Sequence, residues 1–234
     1  MYLSALYYEI LGYFCAPNFK MMNFLSHDYI YTIEIIAMGV YGFTGVLALK
    51  PERNDLINVI LLGLIAATGG GAVRDVLLGR PAFFIKDVNY LIAPIVPSMI
   101  VFYFYPLAKR IDKLLAYLDG IGLALFVASA SSSVLNDGYD PIIAITMGVI
   151  TGVFGGILRD IVINRKPIVM GHTFYITPAV IGAILCVLIS KVWNDQMAVL
   201  ISFIVILGLR TASIYWKWYL PGFMLFQHAE DDKD

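Results

Sequence analysis

Charge is scarce in this sequence. Only 14% of its 234 residues are Asp, Glu, Lys or Arg, against about 25% in soluble domains, while 60% are hydrophobic and the mean hydropathy is +0.80. That shortage excludes an ordinary water-soluble fold. Basic runs are short too: none is longer than Lys109-Arg110, and the net charge is −1, so nothing here neutralises a phosphate backbone and nucleic-acid binding is set aside. There are two cysteines, Cys15 and Cys186, far apart in apolar surroundings; they form neither a disulfide framework nor a CxxC metal site and read as small core residues. The three histidines, His27, His172 and His228, are scattered, with no HExxH or paired-carboxylate spacing nearby. Metal catalysis and general acid–base work therefore have no candidate residues, and neither an enzyme nor a resident cofactor or metal is expected. The first sixteen residues lack a basic n-region and contain Glu9, which argues against a cleaved signal peptide and for an interfacial segment.

What the chain has in abundance is apolar stretches of membrane-spanning length. Seven are expected, at 29–49, 56–78, 89–107, 114–134, 141–163, 173–192 and 197–217, each near the ~20 residues that cross a ~30 Å hydrocarbon core. The connectors carry breaker or charge signals, among them Arg80-Pro81, Asn136-Asp137-Gly138 and Lys166-Pro167, and leave no room for a soluble domain. The Lys and Arg count sets the orientation. Lys50, Arg53, Lys109, Arg110, Lys113, Arg165, Lys166, Lys217 and Lys233 fall on one side and Lys20, Arg80, Lys86 and Lys191 on the other, which places the C-terminus in the cytoplasm and the N-terminus outside.

An internal repeat organises these spans. Shifting the chain by 85 residues superposes Gly70-Gly71-Ala72-Val73-Arg74-Asp75 on Gly155-Gly156-Ile157-Leu158-Arg159-Asp160, Gly63 on Gly148, Arg80 on Arg165 and Glu34 on Asp119. Each copy holds three spans, and an odd number of crossings forces the second copy to enter from the opposite face. The expected fold is thus an all-α integral membrane protein: an N-terminal segment 1–28, a three-helix repeat 29–107, an inverted copy 114–192, a seventh helix 197–217 and a solvated tail 218–234.

Two features of the repeat carry chemistry. Gly69, Gly70 and Gly71 in the second span, and Gly152, Gly155 and Gly156 in the fifth, lie near mid-membrane, where glycine weakens a helix by about 1 kcal/mol per residue. One reading is close packing, since Gly152/Gly156 is a GxxxG spacing and Ala67/Gly71 a small-xxx-small one. The other is an unwound, pore-lining kink, favoured because both copies place the glycines just before an Arg-Asp pair. As for that pair, neighbours on a helix point about 100° apart, so Arg74 and Arg159 are expected to look past Asp75 and Asp160 for another acid. Depth matching gives Glu34 to Arg74 and Asp119 to Arg159, because intramembrane charge is costly unless paired or wet; the alternative is that both arginines snorkel to headgroups. Thr68, Thr151, Ser129 and Ser132 either line a polar path or bond between helices, and Arg210 is expected to snorkel toward the basic side.

With its duplicated GGxxRD segments, the chain resembles the TRIC family, the trimeric intracellular cation channels and their prokaryotic relatives, over roughly residues 29–217. The resemblance implies a homotrimer with an hourglass pore in each protomer, lined by the second and fifth spans and permeable to potassium and also sodium, with membrane lipid as a further partner. It does not extend to the basic residue that animal members carry in the fourth helix, since residues 120–134 read GIGLALFVASASSSV. That difference, and a tail that is not Lys-rich, imply a bacterial or archaeal plasma-membrane protein. Prokaryotic relatives with this repeat are sometimes described as glycine transporters, so a carrier of a small solute is the competing expectation.

Overall fold

A computed structural model of the chain describes residues 17–49, 55–104, 111–171, 174–216 and 218. The expectations for residues 1–16, for Cys15, His172 and His228, for the connector residues Lys50 to Arg53, Lys109 and Arg110, and for the tail lie outside them. All regular structure described is helical: α1 Pro17–Ala48, α2 Leu56–Leu77, α3 Phe83–Lys86, α4 Asn89–Phe104, α5 Ile111–Asn136, α6 Pro141–Val162, a 3-10 turn Ile168–Met170, α7 Ile176–Val192 and α8 Asp195–Trp216.

Five helices are long and apolar enough to cross a membrane, within α1, α2, α5, α6 and α8. Within the expected spans 89–107 and 173–192, the described residues form α4 with 16 residues and α7 with 17. At about 1.5 Å per residue they reach about 24–26 Å, a little less than a hydrocarbon core. Helix α7 starts at Ile176, after Tyr175 as its N-cap. Helix α1 begins at Pro17 instead of residue 29, so it absorbs part of the expected N-terminal segment.

Local chemistry sets the ends of α2 and α6 in the same way. Asp55 accepts from the backbone N–H of Asn58, and Asp140 from that of Ile142 with Pro141 in the first turn. Asp140→Ala should therefore cost about 1 kcal/mol, read as a lower unfolding midpoint in detergent. At the other ends the chain turns left-handed at Gly79 (φ 66°) and Asn164 (φ 54°), both residue types that tolerate that region. There the N–H of Arg80 returns to the Asp75 carbonyl and that of Arg165 to the Asp160 carbonyl, which closes a Schellman motif.

The two helices meet at their glycines. A Cβ on Gly70 would run into the Thr151 carbonyl oxygen, and one on Gly155 into that of Ala66. As the number rises from 66 to 70 on α2, it falls from 155 to 151 on α6, so the helices are antiparallel. The 85-residue shift carries Ala66 to Thr151 and Gly70 to Gly155, which makes the two contacts each other's counterpart across a pseudo-two-fold axis. Tyr41 and Phe126, also 85 apart, meet at that axis as a tilted ring pair with centroids 5.2 Å apart. Around it, α5 packs against α1, α6, α7 and α8 and is the most enclosed of the five long helices. Its Ala124, Ala128 and Ala130 are fully buried, small enough to let neighbouring backbones approach.

The expected unwinding at the glycines is not there: α2 and α6 run unbroken through Gly69–Gly71 and through Gly152, Gly155 and Gly156. Without water to compete for backbone amides, the helical ladder persists through glycine. The missing side chains are used instead for close approach.

Candidate functional site

One turn beyond the crossing, the last turn of α2 carries Arg74, 5% exposed. Its Nε donates to Asp75 Oδ1 at 2.8 Å, and Nη1 lies 3.9 Å from Glu34 Oε1 on α1. Asp75 also accepts from Arg80 Nε at 2.8 Å and from the Phe83 backbone N–H at 2.8 Å. The Tyr90 hydroxyl on α4 donates to Glu34 Oε2 at 2.6 Å, and the Arg74 guanidinium sits 5.5 Å from the Phe83 ring centroid.

The last turn of α6 repeats the pattern. Arg159 Nε donates to Asp160 Oδ1 at 2.9 Å and Nη1 to Asp119 Oδ1 on α5 at 2.9 Å. Asp160 accepts from the Ile168 N–H at 3.0 Å, and the Tyr175 hydroxyl donates to Asp119 Oδ2 at 2.7 Å. Every one of these residues is the 85-residue counterpart of one in the first cluster. By the antiparallel contacts, Arg159 lies level with Leu62, about 18 Å along the axis from Arg74 at 1.5 Å per residue. The clusters thus stand on opposite sides of the crossing.

Each arginine does pair with its own neighbour, contrary to the helical-wheel expectation. A wheel treats a side chain as a short radial vector, whereas arginine is long enough to bend. Nε takes the adjacent aspartate and the terminal nitrogen remains for the acid on the next helix. Neither arginine snorkels. Nor does Arg210, which is 2% exposed: Nη1 donates to the Phe174 carbonyl at 3.0 Å and the guanidinium lies 4.6 Å from the Tyr175 ring centroid. Arg210 thus lies beside the second cluster, joined to it through the Tyr175 ring. Among the described residues the first cluster has no counterpart of Arg210, and it reaches the surface through Arg80, whose Nη1 meets Asp137 Oδ2 at 2.5 Å in the turn between α5 and α6. Asp137→Asn should cost below about 1 kcal/mol, measurable as a small, salt-screened drop in unfolding midpoint, because Asp137 is exposed. Beside this cluster, on the connector between α3 and α4, Asp87 accepts from the Asn89 N–H and then from the Tyr31 hydroxyl, which hold its carboxyl below the usual range.

Of the hydroxyls, Thr68 and Thr151 donate to the Leu64 and Met147 carbonyls of their own helices, at 2.7 and 2.6 Å. Ser129 is 3.4 Å from the Phe126 carbonyl, and buried Ser132 Oγ has no partner among the described residues. Cys186 is buried with its thiol 3.5 Å from the Ala128 carbonyl, and among the described residues no group of His, Cys, Asp or Glu is placed to hold a metal. Tyr90, Tyr175, Phe83 and Ile168 were not singled out from sequence, although the same shift superposes each pair.

The family described as Glycine transporter matches the chain twice, over residues 31–106 and 116–191, two segments of equal length offset by the same 85 residues. The UPF0126 inner membrane protein YadS of Escherichia coli K12 is 34% identical over 204 residues, covering 86% of this chain and 99% of the relative. A UPF0126 membrane protein of Vibrio cholerae is 33% identical over 204 residues, covering 86% of this chain and 85% of its own. Among solved structures, the TRIC trimeric intracellular cation channel orthologue from Rhodobacter sphaeroides superposes with a TM-score of 0.77 at 30% identity, over 81% of this chain and 98% of that one. A prokaryotic TRIC channel in 0.5 M KCl gives 0.76 at 27% identity, over 83% and 100%. With its paired charge clusters on an all-helical membrane fold, the chain belongs to the UPF0126 membrane proteins, the family described as Glycine transporter, and has the fold of the TRIC channels.

Proposed function

We propose that this protein is a monovalent cation channel, passing potassium and also sodium through a path inside each protomer, between α2 and α6. The carrying observation is the pair of clusters, Glu34/Arg74/Asp75 and Asp119/Arg159/Asp160, set about 18 Å apart on either side of one crossing within a single chain. Buried ion pairs at two depths give a permeant ion weak, successive electrostatic footholds, which conduction needs more than one tight site. The similarity to TRIC channels supports the same reading.

In this proposal the two halves are inverted in the bilayer, a reading supported by the antiparallel α2/α6 contact, with α4 and α7 completing the seven spans. The working unit is a homotrimer, the partners are membrane lipid and the permeant cations, and no cofactor takes part. The membrane is a bacterial or archaeal plasma membrane, with the N-terminus outside and the C-terminus cytoplasmic.

A second reading is favoured by one chemical observation. Each cluster offers a guanidinium beside carboxylates, the complement of a zwitterion, so a carrier of a small amino acid such as glycine uses the same residues. Recording of the purified chain in planar bilayers under a potassium chloride gradient separates the two. Discrete openings reversing near the potassium equilibrium potential are expected. Electrical silence, with saturable glycine uptake into liposomes, would replace the channel with a carrier.

A further inference from the structure

The two halves differ where Tyr41 and Phe126 meet at the pseudo-two-fold axis. Tyr41 has a hydroxyl and its counterpart Phe126 does not. That hydroxyl, on a fully buried side chain, donates to the Gly152 carbonyl of α6 at 2.6 Å. The ring lies in a slot made by missing side chains: a Cβ on Gly122 would stand 2.6 Å from Tyr41 Cε2, and one on Gly155 3.5 Å from Cε1. A carbonyl inside a helix already accepts one intrahelical bond and keeps a second lone pair. Tyr41 fills that lone pair on Gly152, at the level where α2 and α6 cross. Tyr41, Ala66 and Ala67 are at most 1% exposed, so solvent does not reach these residues at the crossing.

We infer that Tyr41 is a gating residue, resting on the channel reading: its hydroxyl holds the path closed by occupying the Gly152 carbonyl. When that bond breaks and the ring leaves its glycine slot, the space it vacates beside the α2/α6 contact opens and the Gly152 carbonyl oxygen faces it, where such oxygens replace part of a cation's hydration shell. Tyr41 is a positioning residue in the closed state and makes way for the ion in the open one.

The test is single-channel recording of the full-length wild type, Tyr41→Phe and Phe126→Tyr under a potassium chloride gradient. Phe is already accommodated at the counterpart position, so Tyr41→Phe keeps the ring and its packing. Losing one buried hydrogen bond from the closed state should raise the open-to-closed ratio about five- to tenfold with unchanged single-channel amplitude. A purely packing role would leave open time where it is. Phe126→Tyr supplies the missing hydroxyl opposite Ala67, the counterpart of Gly152, and should lower the open fraction. Wild-type currents with no rise in Tyr41→Phe, or no fall in Phe126→Tyr, overturn the inference and leave the channel reading standing. No wild-type current at all overturns that reading and the inference with it.

Discussion

Gly70→Val and Gly155→Val are each expected to leave almost no correctly assembled protein in the membrane, seen as loss of the monodisperse peak on size-exclusion chromatography. The obstacle is backbone against backbone: the added Cβ at residue 70 meets the Thr151 carbonyl oxygen and that at residue 155 meets the Ala66 carbonyl oxygen. A flexible side chain turns aside, but a carbonyl fixed in a helical ladder does not. Overpacking in a core costs about 1–3 kcal/mol when neighbours adjust, and here the helices have to separate, so the loss should reach or exceed the top of that range. Even Gly70→Ala should be severe. Gly79→Ala, with open space around its Cβ and only a left-handed backbone to strain, should cost about 1 kcal/mol. If Gly70→Val assembled normally and lost only conduction, the crossing would be looser than described and a flexing role for the glycines would return.

Arg159→Gln should be nearly as damaging, because it strands Asp119 and Asp160 in the interior. Arg159 and Asp119 are fully buried and Asp160 is 1% exposed. Removing one partner of such a pair typically costs about 3–5 kcal/mol, since the remaining charge stays desolvated. The neighbouring cation Arg210 does not take over; its guanidinium is committed to the Phe174 carbonyl and the Tyr175 ring. Asp119→Asn combined with Arg159→Gln should recover part of the loss. Arg74→Gln should hurt less, because its contact with Glu34 is 3.9 Å and Glu34 is 14% exposed. Unfolding midpoints of the two single variants in the same detergent give the comparison. Equal losses would mean that the two halves are electrostatically alike despite their different geometry.

Much of this arrangement is legible in the sequence, for physical reasons that differ by residue. Apolar run length marks where the helices lie because the bilayer demands it, and the 85-residue shift links Arg74 with Arg159 and Glu34 with Asp119 because the chain is duplicated. The glycines misled because helix propensity is measured in water, where an unbonded amide has an alternative partner. In the membrane it has none, so α2 and α6 stay whole. Arg210 was misplaced because it donates to a backbone carbonyl, which leaves no signature in residue types. The hydroxyls of Tyr90 and Tyr175 were hidden among 15 tyrosines, and only their equal spacing distinguishes them.

The crossing of α2 and α6 has a consequence for how such a chain can change over generations. Since the contact from Gly155 to Ala66 is the counterpart of that from Gly70 to Thr151, it is self-complementary in the manner of an isologous dimer. Two identical three-helix fragments, inserted in opposite orientations, would rebuild it without any linker. Residues 66, 70, 151 and 155 are therefore bound to drift together, each half constrained by the other's backbone. Away from that backbone contact the constraint is released: one half is free to acquire a tyrosine hydroxyl or recruit an arginine from an appended helix while its twin does not. Duplication followed by unequal refinement turns a symmetric pair into a molecule with a distinguishable front and back.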